Sequence, residues 1–230
     1  MKNFKNTSNS LIQVNTDFIL LWNKRRQQKK EVQKIFNDQG NIFNFVKPDN
    51  TIKSIHIYIA CDERKSLYCY FISSIDDAEK KFNWIYKSEI PSIKESLPEK
   101  NLPPKGSNEY LDWETANQWV NNWINVNKRN DWIHEQFNAN ISKNNIVLAF
   151  EINVDDFTVN DIHNCFLGLK KDYNDEYQID LIVYNTSTNR VLNYNIHKYD
   201  SVHDLARPVP PFGGGLNYGD FGVLDSLGIQ

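Results

Sequence analysis

The sequence predicts an α+β fold: an antiparallel or mixed sheet of about six strands, helices packed on it, and an ordered tail rich in proline and glycine. Three observations carry this. Residues 145–198 read as strand, helix, strand, strand. Residues 52–73 alternate apolar and polar side chains on both sides of a charged turn. Residues 16–36 and 109–138 repeat apolar side chains at helical spacing.

Composition narrows the class. With 230 residues, 40% of them hydrophobic and 13% aromatic, the chain can bury a core, and global disorder is not expected. A net charge of −3 gives no general attraction to nucleic acid or to anionic membranes, so neither is expected as a partner. Cys61, Cys69 and Cys165 are too few for a disulfide framework and fit a reducing compartment. The first residues lack the apolar centre of a signal peptide, and residues 11–22 are interrupted by Gln13, Asn15, Thr16 and Asp17, so no bilayer span is expected. A cytoplasmic protein is therefore expected. The heavy use of Asn, Lys and Ile suggests an AT-rich, bacterial genome.

Along the chain, residues 16–36 read as one helix capped by Thr16 or Asp17, with Phe18, Leu21, Trp22, Val32, Ile35 and Phe36 on its apolar face. The basic run 24–30 between them reads as a solvated face. Gly40 is a stop signal. Residues 41–47 are a strand, and 52–60 with 66–73 form an antiparallel hairpin around Asp62-Glu63-Arg64-Lys65. Cys61 and Cys69 flank that turn and read as ordinary strand cysteines, since no C-x-x-C motif is present. Asp76 and Glu79 resemble a capping box, and Phe82, Ile85, Tyr86 and Ile90 follow as a helical stripe ended by Pro91. Trp84 falls off that stripe and is a candidate partner anchor.

Prolines 98, 103 and 104 with Gly106 mark a subdomain boundary at 96–108 inside a single domain of residues 1–205. Residues 109–138 carry Trp113, Trp119, Trp123 and Trp132 on a stripe wide enough to pack on a sheet, with a break at 127–131 capped by Asp131. Residues 146–152 are a strand. Thr158 and Asp161 then start a helix whose stripe is Val159, Ile162, Phe166, Leu169 and Tyr173. Residues 179–184 and 190–197 read as two strands joined by a turn. The tail, 206–230, holds a Pro-Val-Pro-Pro run at 208–211 and three glycines at 213–215. It cannot be a helix or a central strand there, and its apolar residues pack it onto the domain.

No standard catalytic motif is present: no G-x-S-x-G, no P-loop, no H-E-x-x-H and no cysteine-rich zinc pattern. His197, Asp200 and His203, with Asp180 on the preceding strand, are the alternative metal ligands. The two strands from Asp180 to Tyr184 and from Arg190 to His197 resemble the core hairpin of the PD-(D/E)xK nuclease families, where an Asp and a Glu-x-Lys hold a divalent metal. The Glu-x-Lys slot here reads Asn195-Ile196-His197, so the stretch is taken as an amphipathic hairpin rather than as membership of that family.

Without a catalytic set, the expected function is a non-catalytic protein-binding module needing no cofactor: an immunity protein or antitoxin that occludes a toxin partner. Asp155, Asp156, Asp172, Asp175 and Glu176, with Trp84, are the expected partner-binding residues, the acids steering a basic partner. The rival readings are a metal-dependent hydrolase or nuclease-like enzyme with a degenerate site, and a secreted bacterial effector.

Overall fold

A computed structural model describes residues 15–47, 49, 51–82, 86–98, 112–138, 146–154, 157, 159, 162–185, 201–204, 206–209 and 220–229. Among them lie nine strands in two antiparallel sheets, and six helices. One sheet has the order β1-β6-β7-β8, from β1 (Ile42–Val46), β6 (Ile162–Lys171), β7 (Tyr177–Asn185) and β8 (Ser201–Asp204). The other has the order β4-β3-β2-β5-β9, from β2 (Ser54–Cys61), β3 (Leu67–Ser73), β4 (Tyr86–Ile90), β5 (Ala149–Asn153) and β9 (Ala206–Val209). The α+β class stands. The single sheet of six strands does not, because two segments with helix-like spacing are largely strands.

The first of these is β6. Its residues Ile162, Phe166 and Leu169 keep helical spacing, but the segment is a strand whose centre, residues 165–169, is buried on both faces. Cys165, Leu167 and Leu169 point into the core between the sheets, while Phe166 packs with Ala116 and Val120 on the opposite side. A continuous apolar run buried on two sides carries no period of its own, so three-four spacing arises in it by coincidence. Gly168 adds a second reason. A Cβ there would sit 3.4 Å from the Trp119 Cβ, so the missing side chain lets a helix approach the strand closely.

The second is the stretch after residue 73. A five-residue helix, α3 (Ser74–Ala78), is capped by Ser73, whose side chain accepts from the Asp76 amide. It stops because Lys80 takes a left-handed φ of 58°. The Lys81 amide then bonds back to the Asp76 carbonyl at 2.7 Å and the Lys80 amide to the Asp77 carbonyl at 2.9 Å, a Schellman closure. Tyr86 and Ile90, expected on a helical stripe, are the ends of β4 paired with β3.

The remaining helices cover the sheets. Residues 16–36 form two helices rather than one: α1 (Thr16–Arg25) and α2 (Lys29–Asp38). The basic run between them is only partly solvated. Arg26 is buried and donates to the Ile146 carbonyl at 2.8 Å, and Arg25 donates to the Asp62 and Glu63 carbonyls beyond the β2 end. The tryptophan-rich stretch is α4 (Trp113–Ile124) and α5 (Val126–Gln136), broken at Asn125 rather than at 127–131. Asp112 caps α4, and the Asn125 side chain caps α5. α4 lies on the outer face of the four-stranded sheet, where Ile42, Phe166, Ile182 and Tyr184 form a satellite cluster with it. In the main core, Phe43 and Phe45 of β1 lie 5.9 and 5.8 Å from Phe71 of β3, so the two sheets share one interior.

Arg129 ties the helical end together. It is 1% exposed, and it donates to the carbonyls of Trp123 and Ile124 in the last turn of α4 and to Asn37 Oδ1 of α2. A cation over exposed carbonyls at a helix C-terminus is favourable. Burial pushes its guanidinium down to about 10, which leaves it protonated at neutral pH.

In the tail, β9 pairs with β5 alone, at the edge of its sheet, which is where a strand containing Pro208 can sit. A last short helix, α6 (Gly222–Ser226), places Val223 and Leu224 in the main core beside Phe221 and Ile229. The strand expected at 190–197 and the boundary from residue 99 onward fall outside the described residues.

Candidate functional site

The tip of the β6–β7 hairpin is a built surface feature. Lys171 pairs with Tyr177, and residues 172–176 make the turn between them. Asp172 organises it from within. One carboxylate oxygen accepts the amides of Asn174 (2.8 Å) and Glu176 (3.0 Å), and the other accepts Gln178 Nε2 at 2.9 Å. The Asp175 amide returns to the Asp172 carbonyl at 3.1 Å, with Asp175 in the left-handed region at φ 67°. Asp175 also meets Lys171 at 2.7 Å.

This network holds Tyr173 outward. It is 95% exposed, the most exposed of the large hydrophobic side chains described. Expected as the last residue of a buried helical stripe, it is instead the crown of a hairpin. Acidic groups border it. Glu176 lies close enough to Glu135 of α5 to raise that carboxyl, after the larger effect of partial burial, with Asp131 adding to the same push. The acidic surface therefore spans two elements distant in sequence.

Of the expected partner-binding residues, the structure brings Asp172, Asp175 and Glu176 into one turn. Asp172 is a turn organiser there rather than a free acid. Asp155, Asp156 and Trp84 lie outside the described residues. Replacing Asp172 with Ala is expected to cost about 1–2 kcal/mol, from lost turn bonds on a partly exposed site, and to speed amide exchange at Asn174 and Glu176. Denaturant melts with hydrogen-exchange NMR check this.

For the alternative metal set, His197 and Asp200 lie outside the described residues, and His203 is described only as the backbone partner of Val183 in β8. Asp180 is fully buried opposite Gly168, under α4, where it pairs with Lys170 and accepts its neighbour's Leu181 amide at 2.7 Å. Among the described residues no group of three or more His, Cys, Asp and Glu side chains gathers as a metal would require. Among them, too, no helix is long and apolar enough to cross a membrane.

Sequence reasoning missed a buried polar cluster. His56 and Tyr58 project from one face of β2, and both bond the same carboxylate oxygen of Asp77, His56 Nδ1 at 2.6 Å. The other Asp77 oxygen accepts the Val223 amide at 2.9 Å, and Phe221 stacks on His56 with centroids 4.0 Å apart. Burial, then the adjacent carboxylate, push the Tyr58 phenol far above its usual range. These residue types suit an acid–base relay, but His56, Tyr58 and Asp77 are at most 2% exposed, and the cluster anchors the C-terminal segment. Its sequence signal is faint: a His and a Tyr two apart on the more polar side of an alternating strand.

The cysteines are free and buried, and burial pushes all three thiols upward. A thiol reagent is expected to leave the native protein unlabelled and to react with three thiols after denaturation, as intact mass would show.

No protein-family model, no curated protein and no solved structure matches this chain.

Proposed function

We propose that this chain is a non-catalytic protein-binding module whose contact surface is the β6–β7 tip with the neighbouring acidic face of α5. The single observation that carries the reading is Tyr173, 95% exposed on a turn fixed by five hydrogen bonds, four accepted by Asp172 and one donated by its amide to the Glu176 carbonyl. With its backbone fixed by the turn, a tyrosine with two side-chain torsions loses little freedom on docking, and tyrosine is among the residues that dominate interface energies. The bordering acids Glu176, Glu135 and Asp131 favour a basic partner and speed its approach, while Asp175 is paired with Lys171.

In its finer form, the module is a bacterial immunity protein or antitoxin that blocks a basic toxin by covering it. Two experiments test this. Tyr173→Ala is expected to weaken the complex by about 2 kcal/mol or more, mainly by faster dissociation, while the melting temperature stays close to wild type. Glu176→Gln with Glu135→Gln is expected to slow association and to flatten its salt dependence. Expressed alone in a sensitive host, the chain is expected to be harmless; growth arrest would favour an effector instead.

A further inference from the structure

Away from the hairpin tip, a half-enclosed cavity of about 340 Å³ opens where the end of β1 meets the start of β2 and the β3–α3 junction. That volume lies at the lower end of the roughly 300–1,000 Å³ typical of small-molecule sites. Its wall is aromatic and aliphatic: Phe45 and Phe71 stack with centroids 5.8 Å apart and 23° between planes, and Ile55 and Tyr86 extend the surface. Ile75 also lines it and is 58% exposed, an apolar side chain that an occupant would cover.

The polar groups are concentrated differently. Asp49 and Asp76 both line the cavity. Hydrogen bonds from Thr51 hold the Asp49 carboxyl below the usual range, so it is ionised at neutral pH. Asp76 accepts the Ser73 hydroxyl through one oxygen at 2.7 Å. The Ser54 and Ser74 hydroxyls, hydrogen-bonded to one another, add acceptor lone pairs. Lys53 is the cation on the lining, and it already has a partner of its own. An apolar, aromatic wall beside two carboxylates selects against anions. It suits a ligand with an apolar body and one positive charge, since aromatic faces and carboxylates both attract cations.

We propose that this cavity binds a small organic cation, an aromatic or branched aliphatic body bearing a protonated amine. The body would lie against Ile52, Ile75 and Tyr86, over a floor made by the buried Phe45 and Phe71, and the amine would meet Asp49 and Asp76.

The test titrates the full chain with three probes of matched shape: 2-phenylethylamine, 2-phenylethanol and 3-phenylpropionate. Binding is read by calorimetry and by NMR shifts of the Ser54 and Ser74 amides. The expected result is saturable one-site binding of the amine, about tenfold or more tighter than the alcohol, with the propionate weakest. The double variant Asp49→Asn, Asp76→Asn keeps side-chain shape and one acceptor oxygen at each position, and is expected to weaken amine binding about tenfold while still melting cooperatively. Absence of saturable amine binding, equal binding of the alcohol, or unchanged amine binding by the folded double variant would each overturn the proposal. The comparison of probes on the wild-type chain stands even if the double variant fails to fold.

Discussion

Replacing Asp77 with Ala is expected to lower the unfolding free energy by about 3–5 kcal/mol, since three buried groups lose their acceptor and each one left unsatisfied costs about 1–3 kcal/mol. The expectation follows from what the carboxylate serves. It accepts from His56, Tyr58 and the Val223 amide, all in a sealed interior. Alanine leaves those groups without their acceptor and without water. The loss should also be uneven. The Val223 bond joins α6 to α3 and β2 across 146 residues of chain, so the C-terminal segment should become protease-sensitive before the rest. Urea melts with timed proteolysis read by mass spectrometry check both points. A loss under about 1 kcal/mol would show that apolar packing of Phe221 and Leu224 alone holds the segment. Gly222 belongs to the same contact: a Cβ there would run into the Asp77 carbonyl oxygen, so Gly222→Ala should mimic part of the defect.

Phe36→Ala is expected to cost a similar amount, about 3–5 kcal/mol. Phe36 of α2 is 1% exposed and lies 5.5 Å from Trp22, 5.0 Å from Trp123 and 6.1 Å from Trp132. Among the described residues it is the one ring that touches tryptophans from α1, α4 and α5. Removing it opens a cavity among rigid rings that cannot easily collapse inward, which is where such substitutions are most costly. Chemical denaturation gives the free energy. A red shift of the native tryptophan emission would report water reaching the cavity. An unshifted spectrum with a loss below about 1.5 kcal/mol would mean that the helices close over the gap.

How far these sites could be read from sequence depends on the kind of signal each carries. The β2–β3 hairpin was legible because Ile55, Ile57 and Ile59 alternate with polar or smaller neighbours around a charged turn. The tryptophan helices were legible because their stripe repeats over several turns. β6 was not, since burial on both faces erases the period of two and leaves an accidental helical spacing. The length of α3 was not, because Lys80 takes a left-handed conformation that no local residue choice announces. At the candidate site, the acids Asp175 and Glu176 were visible as loop charges. The role of Tyr173 was hidden by the misread helix, and the approach of Glu135 to Glu176 is a tertiary fact. The Asp77 cluster joins side chains from three separated elements, and short-range pattern carries no trace of it.

Tyr173 and the acids around it are proposed to meet a protein partner. The most direct measurement places a photo-crosslinking amino acid at position 173, and at the exposed control position Ile93, in the chain expressed in its own host. One dominant protein adduct is expected from position 173 and none from position 93, and that adduct should be lost when Glu176→Gln and Glu135→Gln are added. No adduct from position 173, or the same adducts from both positions, would contradict that proposal.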